Sequence, residues 1–185
     1  MISSYDYASL RWTCKNGHKE VAELLIATVL LHSPNNLLPM ISADNYYSFS
    51  WSCEKGHFEI AELLIATVLQ HKPENLMPMI IACDYYSLFW ACENRHIEVF
   101  QLLIATVLQH SPNNLMSVIG AGKYNSLHLA CGDGHIEVAE LLITTVLQYS
   151  PNNLMPMVSS ENYYSLRWAC ENIHFGVLRL LSNYV

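Results

Sequence analysis

The chain has 185 residues, of which 52% are hydrophobic and 14% charged, with a formal net charge of −7. That length holds one ordinary domain or a short repeat array, and the composition excludes a disordered chain and a long polar coiled coil. The negative balance excludes a basic nucleic-acid footprint, and seven glycines and seven prolines are too few for a collagen-like or linker sequence.

In chain order, the opening Met1-Ile2-Ser3-Ser4-Tyr5-Asp6 lacks the basic start and apolar stretch of a signal peptide. The pattern predicts a first helix from Ser9 to Asn16, with Leu10, Trp12, Thr13 and Cys14 as its apolar side and Gly17 as its stop. A second helix is predicted from Lys19 to about His32. Glu20 and Glu23 suit its positive end, and Val21, Leu24, Leu25, Thr28 and Val29 follow at spacings of three and four. Ala22, Ile26, Leu30 and Leu31 widen its apolar surface, so neighbours must cover it on two sides. Its apolar run, Leu24 to Leu31, is about half the ~20 residues that cross a bilayer. Ser33 to Leu38 is predicted as a capped single helical turn with Pro34 in the tolerated first position. Pro39, Pro78 and Pro156 are expected to end that turn.

The same text then recurs. His18, His57, His96, His135 and His174 are spaced 39 residues apart, as are Cys14, Cys53, Cys92, Cys131 and Cys170. Trp12, Trp51, Trp90 and Trp168 share the step, with Leu129 in the fourth place. The chain therefore divides into repeats 5–43, 44–82, 83–121 and 122–160 and a truncated 161–185, read as a single repeat domain over 1–185.

The run Gly17-His18-Lys19-Glu20-Val21-Ala22-Glu23-Leu24-Leu25 resembles the second half of an ankyrin repeat. It returns at Gly56–Leu64 and Gly134–Leu142, and Ala91-Cys92 and Ala130-Cys131 match the small pair of the family's first helix. The family's opening T-P-L-H is mostly absent: it reads Tyr47-Ser48-Phe49-Ser50 and Tyr164-Ser165-Leu166-Arg167, and only Asn125-Ser126-Leu127-His128 keeps Leu-His. Ser is expected to serve as a substitute N-cap. The preceding family Gly is replaced by Asp6, Asn45, Asp84, Lys123 or Asn162, four of them Asp or Asn, which tolerate left-handed backbone. Repeats of 39 residues exceed the family's ~33. The resemblance implies an all-α solenoid of stacked helix-turn-helix repeats, with a lengthened second helix and a short extra helical turn. An armadillo-like stack is the structural alternative.

The repeated polar residues are read first as structure. Stacked helices lie ~8–10 Å apart, too far for equivalent histidines to share a metal or for equivalent cysteines to form disulfides. Each His18-row imidazole is expected to hydrogen-bond backbone at its turn, and His32, His71 and His110 to be exposed. The cysteine column reads as small buried hydrophobes, with Cys83 outside it as the thiol expected to react. Tryptophans occupy the family's Leu position and are expected in the core. Reduced thiols and the absence of a glycosylation sequon lead to a cytoplasmic expectation. No metal or cofactor is expected, and no phosphate loop or nucleophile elbow is present to suggest an enzyme.

The tyrosines suggest recognition, because the family presents loop tips and a concave face to partner proteins. The row Tyr7, Tyr46, Tyr85, Tyr124 and Tyr163 is expected to face outward; Tyr47, Tyr86 and Tyr164 are expected to pack inward. The variable column Arg11, Ser50, Phe89, His128 and Arg167 is expected to face the groove. Repeats two, three and four carry −3, −2 and −2, which fits a partner with a basic surface. The function implied is a protein-interaction scaffold without catalysis. The alternatives are an assembly module that associates end to end, or a host-directed effector of the kind the family supplies in bacteria and viruses.

Overall fold

Glycine sets the first corner of repeats one, two and four. Gly17 holds φ +76°, and the His18 N–H donates to the Thr13 carbonyl at 3.1 Å, closing one helix before the next begins. The structure, a computed structural model, describes residues 7–184. These form helices α1 (Tyr7–Lys15), α2 (Lys19–His32) and α3 (Leu37–Ile41), with a 3-10 turn, Pro34–Asn36, before α3. The pattern repeats as α4 (Ala43–Glu54), α5 (Phe58–His71) and α6 (Leu76–Ile80). It continues as α7 (Ala82–Glu93), α8 (Ile97–His110) and α9 (Leu115–Ile119), then α10 (Ala121–Gly132), α11 (Ile136–Tyr149) and α12 (Leu154–Val158). Finally come α13 (Ser160–Glu171) and α14 (Phe175–Leu181), and the described residues contain no strand. The all-α stack of repeats, with a long second helix and an extra helical turn, is thus present.

The chain divides into two compact units, Met1–Val107 and Leu108–Val185. In the first, α1 packs on α4, α4 on α7, and α2 on α5; in the second, α10 packs on α13 and α11 on α14. The second helices fill the core on two sides. In α5, Ile60, Ala61, Leu64, Ile65, Thr67 and Val68 are buried, while Glu59, Glu62 and Ala66 form the exposed edge. The buried Thr67 hydroxyl donates to the Leu63 carbonyl at 2.7 Å, and Thr106 does the same to Leu102.

Three expectations about local structure need correction. Pro39, Pro78 and Pro156 do not end the extra turn; each is the third residue of a five-residue helix. In a first turn the N–H that proline lacks has no intrahelical acceptor, so the helix continues. Ser33 makes no side-chain cap. Ser48, Ser87 and Ser165 are not caps either: they are buried inside the first helices.

The entry to each of the first helices α4, α7, α10 and α13 is a left-handed turn of three residues. Asp44, Asn45 and Tyr46 have φ of 50°, 57° and 62°, and Cys83-Asp84-Tyr85, Gly122-Lys123-Tyr124 and Glu161-Asn162-Tyr163 repeat it. The left-handed backbone expected at Asn45, Asp84, Lys123 and Asn162 is therefore found, together with its two neighbours; Asp6 lies outside the described residues. One hydrogen bond closes each turn, as from the Tyr46 N–H to the Ser42 carbonyl at 3.2 Å. Left-handed conformation costs a non-glycine residue about 1–2 kcal/mol. Contacts from the start of the next first helix oppose that cost: the Cys83 thiol donates to the Asn45 carbonyl at 3.3 Å, and the Ser160 hydroxyl to the Lys123 carbonyl at 2.9 Å.

Candidate functional site

The first helices pack on one another, and the side each buries carries small groups around one large apolar residue. On α4 the buried side carries Ser48, Ser52 and Cys53 around Phe49. Residues 47 and 51 are four apart and share the opposite side, so both rings are displaced outward. Tyr47 is 38% exposed, Tyr86 44%, Tyr164 38% and Trp12 56%, while Trp51, Trp90 and Trp168 are half-buried. The expectation of core tryptophans fails for Trp12 and is met only in part by the half-buried Trp51, Trp90 and Trp168, while the Tyr47-row rings, expected inward, are exposed.

These rings form an aromatic surface in each unit. In the first, Trp51 lies between Trp12 at 6.0 Å and Tyr47, stacked at 5.3 Å, between ring centres. The Lys15 ammonium sits over this pair, 5.1 Å from the Trp12 ring centre and 4.6 Å from that of Trp51. Farther along the unit, Tyr86, Phe89 and Trp90 cluster at 5.2 to 6.1 Å. In the second unit Tyr164 meets Trp168 at 5.3 Å and His128 at 5.0 Å, with the Arg167 guanidinium 5.7 Å from the Tyr164 ring centre. Trp168 lies so close to Gly132 that a Cβ there would be 2.4 Å from its ring.

The residues expected to face a partner separate accordingly. Tyr46 is only 9% exposed, and its hydroxyl donates to the Asn75 side chain at 3.3 Å. Tyr7, Tyr85, Tyr124 and Tyr163 are half-buried. This row, expected outward, is buried at Tyr46 and half-buried elsewhere, and each of its last four tyrosines ends a left-handed turn. Ser50 and His128 are buried. Arg11 is held by an ion pair with Asp44 of the next repeat. Only Phe89 and Arg167 join the aromatic surface. The His128 imidazole is held below its ordinary range by burial, with the Glu161 carboxylate pulling weakly the other way, and its Nε2 has no hydrogen-bond partner.

The repeated histidines act between repeats. The Nε2–H of His57 donates to the Lys15 carbonyl at 3.1 Å, that of His96 to Glu54 at 3.0 Å, and that of His174 to Gly132 at 2.8 Å. Each reaches the preceding turn, not its own. A Cβ on Gly17 would lie 2.7 Å from His57, and one on Gly134 2.6 Å from His174. His32, His71 and His110 are exposed, as expected. Burial pushes the thiols of Cys14, Cys53 and Cys131 up to about 12. Cys83 is not the reactive thiol anticipated: it is part-buried, hydrogen-bonded to Asn45, and raised by burial. Cys170 is the exposed cysteine. Among the described residues, no helix is long and apolar enough to cross a membrane.

A family model described as ankyrin repeats in three copies matches residues 10–113, 50–153 and 88–184. Among solved structures, an ankyrin repeat family protein from Legionella pneumophila is similar at 17% identity and a TM-score of 0.46, over 96% of this chain and 62% of that one. This chain therefore spans less than two thirds of that protein's length. No curated protein matches the chain.

Proposed function

Because the chain belongs to the ankyrin repeat family, whose repeats are generally non-catalytic protein-interaction scaffolds, we propose that it holds a partner protein against the aromatic surface of its first helices. One observation carries this reading. Trp12, Tyr47 and Tyr86 are exposed, and Trp51 and Trp90 half-buried beside them, on helices whose other side is core. Exposed aromatic clusters of this kind are where binding energy concentrates at protein interfaces. The charges of −3, −2 and −2 on repeats two to four support a partner with a basic surface, and that charge acts chiefly on encounter rate and specificity.

The test is a Trp51→Ala, Trp90→Ala double substitution, with affinity capture as the readout. Capture of the partner should fall at least about tenfold, since each exposed aromatic anchor contributes about 1–2 kcal/mol. The helical circular dichroism should be unchanged. Tyr46→Ala serves as the contrast, and should lower the melting temperature because its ring is buried and its hydroxyl holds Asn75. Undiminished capture by the tryptophan double variant would end this reading.

A second reading, association of copies, has its own observation: Val21, Leu24 and Leu31 are exposed along α2. Sedimentation at micromolar concentration decides it, and a clean monomer removes it.

A further inference from the structure

A stacked repeat buries two sides, one toward the repeat before it and one toward the repeat after it. In the first repeat the side that later repeats turn toward their predecessor is open. Val21 is 46% exposed where its counterparts Ile60, Val99, Val138 and Val177 are at most 2% exposed. Ser9 and Thr28 are exposed where Ser48 and Thr67 are buried. In the last repeat the other side is open. Cys170 is exposed where Cys14, Cys53 and Cys131 are buried. Phe175 is exposed where Phe58 is half-buried, and Leu178 is half-buried where Ala61 and Ala139 are closed off. These two open sides are the two halves of one contact, the one by which α2 packs on α5 and α11 on α14.

We propose that the open side of α13 and α14 in one copy of this chain seats on the open side of α1 and α2 in a second copy, in the register by which one repeat follows another; this deepens the reading that copies associate, and rests on it. Charge favours this occupant. The exposed column Glu23, Glu62, Gln101 and Glu140 ends in Arg179. Between α2 and α5 that edge sets Glu23 next to Glu62, like charge beside like. At the junction it sets Arg179 next to Glu23 of the second copy, opposite charge beside opposite. The contact is heterologous, so a joined pair keeps one open side of each kind and further copies add to it. One fastening is missing. Gly17, Gly56 and Gly134 make room for the histidine of the following repeat. In the last repeat Ile173 takes that place at φ 59°, and its side chain keeps the His18 ring of the second copy from the turn. The junction is therefore weaker than the contacts within the chain, and reversible.

The experiment is sedimentation of the full chain at micromolar concentration. The average mass should rise with concentration, through dimers to larger species. Val21→Glu blocks one side and Phe175→Glu the other. Both replace exposed side chains, so the helical circular dichroism should be unchanged. Each variant alone should sediment as a monomer. An equimolar mixture should form a mixed dimer and nothing larger, because each variant supplies the side that the other lacks. Arg179→Glu should weaken association, and adding Glu23→Arg to the same chain should restore it. Ile173→Gly admits the His18 ring to the turn and should tighten association about fivefold, the worth of one hydrogen bond; His18→Ala should cancel that gain. A mixture that stays monomeric, or unchanged association in Ile173→Gly, would overturn the proposal. The two readings fail separately. If Phe175→Glu still associates while Val21→Glu does not, α2 meets α2 of the other copy: the proposed seat falls and association of copies stands. A natural chain that is monomeric throughout removes both.

Discussion

His128 is a polar ring enclosed without a hydrogen bond at Nε2, beside the exposed ring of Tyr164. Burial lowers its pKa from the ordinary value, so the folded chain binds a proton there less readily than the unfolded chain. Its contribution to stability is therefore complete above about pH 6.5 and declines as pH falls from there toward the lower folded value. His128→Phe, which places at this position the residue that repeat three carries as Phe89, removes that term. Thermal melts at about pH 7.5 and about pH 5.5 should show a smaller drop for the variant than for the natural chain; equal drops would show that another group is responsible. The same scale explains what the residue pattern concealed. Ranking by hydropathy puts tryptophan inside and serine outside, yet Ser48 and Ser52 are buried and Trp12 is exposed. Size decides against hydropathy here, because closely packed first helices leave room for Ser, Ala and Cys and displace indole. The i, i+4 pairing of Tyr47 with Trp51, repeated at Tyr86 with Trp90 and Tyr164 with Trp168, was the available signal.

Among elements, the second helix was the most legible, because its apolar spacing runs without interruption from Val21 to Leu31 and a Ser-Pro pair follows. Its bounds, Lys19–His32, are those the pattern predicts. The entry turn was legible only in part. Asn45, Asp84 and Asn162 signal one left-handed residue, but nothing in Asp44, Glu161 or the tyrosines signals that three occur in succession. That run exists because neighbouring repeats hold it, through Cys83 on Asn45 and Ser160 on Lys123, and such support is not local in sequence. Lys123, at φ 59°, has the least suitable side chain of the four central positions. Its 2.6 Å ion pair with Glu161 lies at the surface and is worth little. Lys123→Gly should therefore raise stability by about 0.5–1 kcal/mol in urea unfolding, the relief of left-handed strain less the entropy glycine adds to the unfolded chain. A lower urea midpoint would mean that the ion pair outweighs the strain.

Across each unit, protection should follow how far neighbouring repeats enclose a helix. In the first unit Val21 of α2 is exposed while its counterpart Ile60 of α5 is buried, and Thr28 is exposed while Thr67 is buried. Amide hydrogen exchange should therefore be at least about tenfold faster in α2 than in α5, and equal protection would indicate that α2 is covered in solution by another chain. Repeat two carries both halves of the histidine contact: the Glu54 carbonyl receives the following imidazole, and the His57 imidazole reaches the preceding turn. In the pairs Gly17–His57, Gly56–His96 and Gly134–His174, the bare glycine also makes room for the incoming ring. A copy inserted in whole 39-residue steps therefore arrives with its own fastenings on both sides, whereas an insertion of any other length strands a ring against a side chain. Growth by duplication needs no second mutation where that glycine is present; Arg95 and Ile173 hold the same left-handed corner without it.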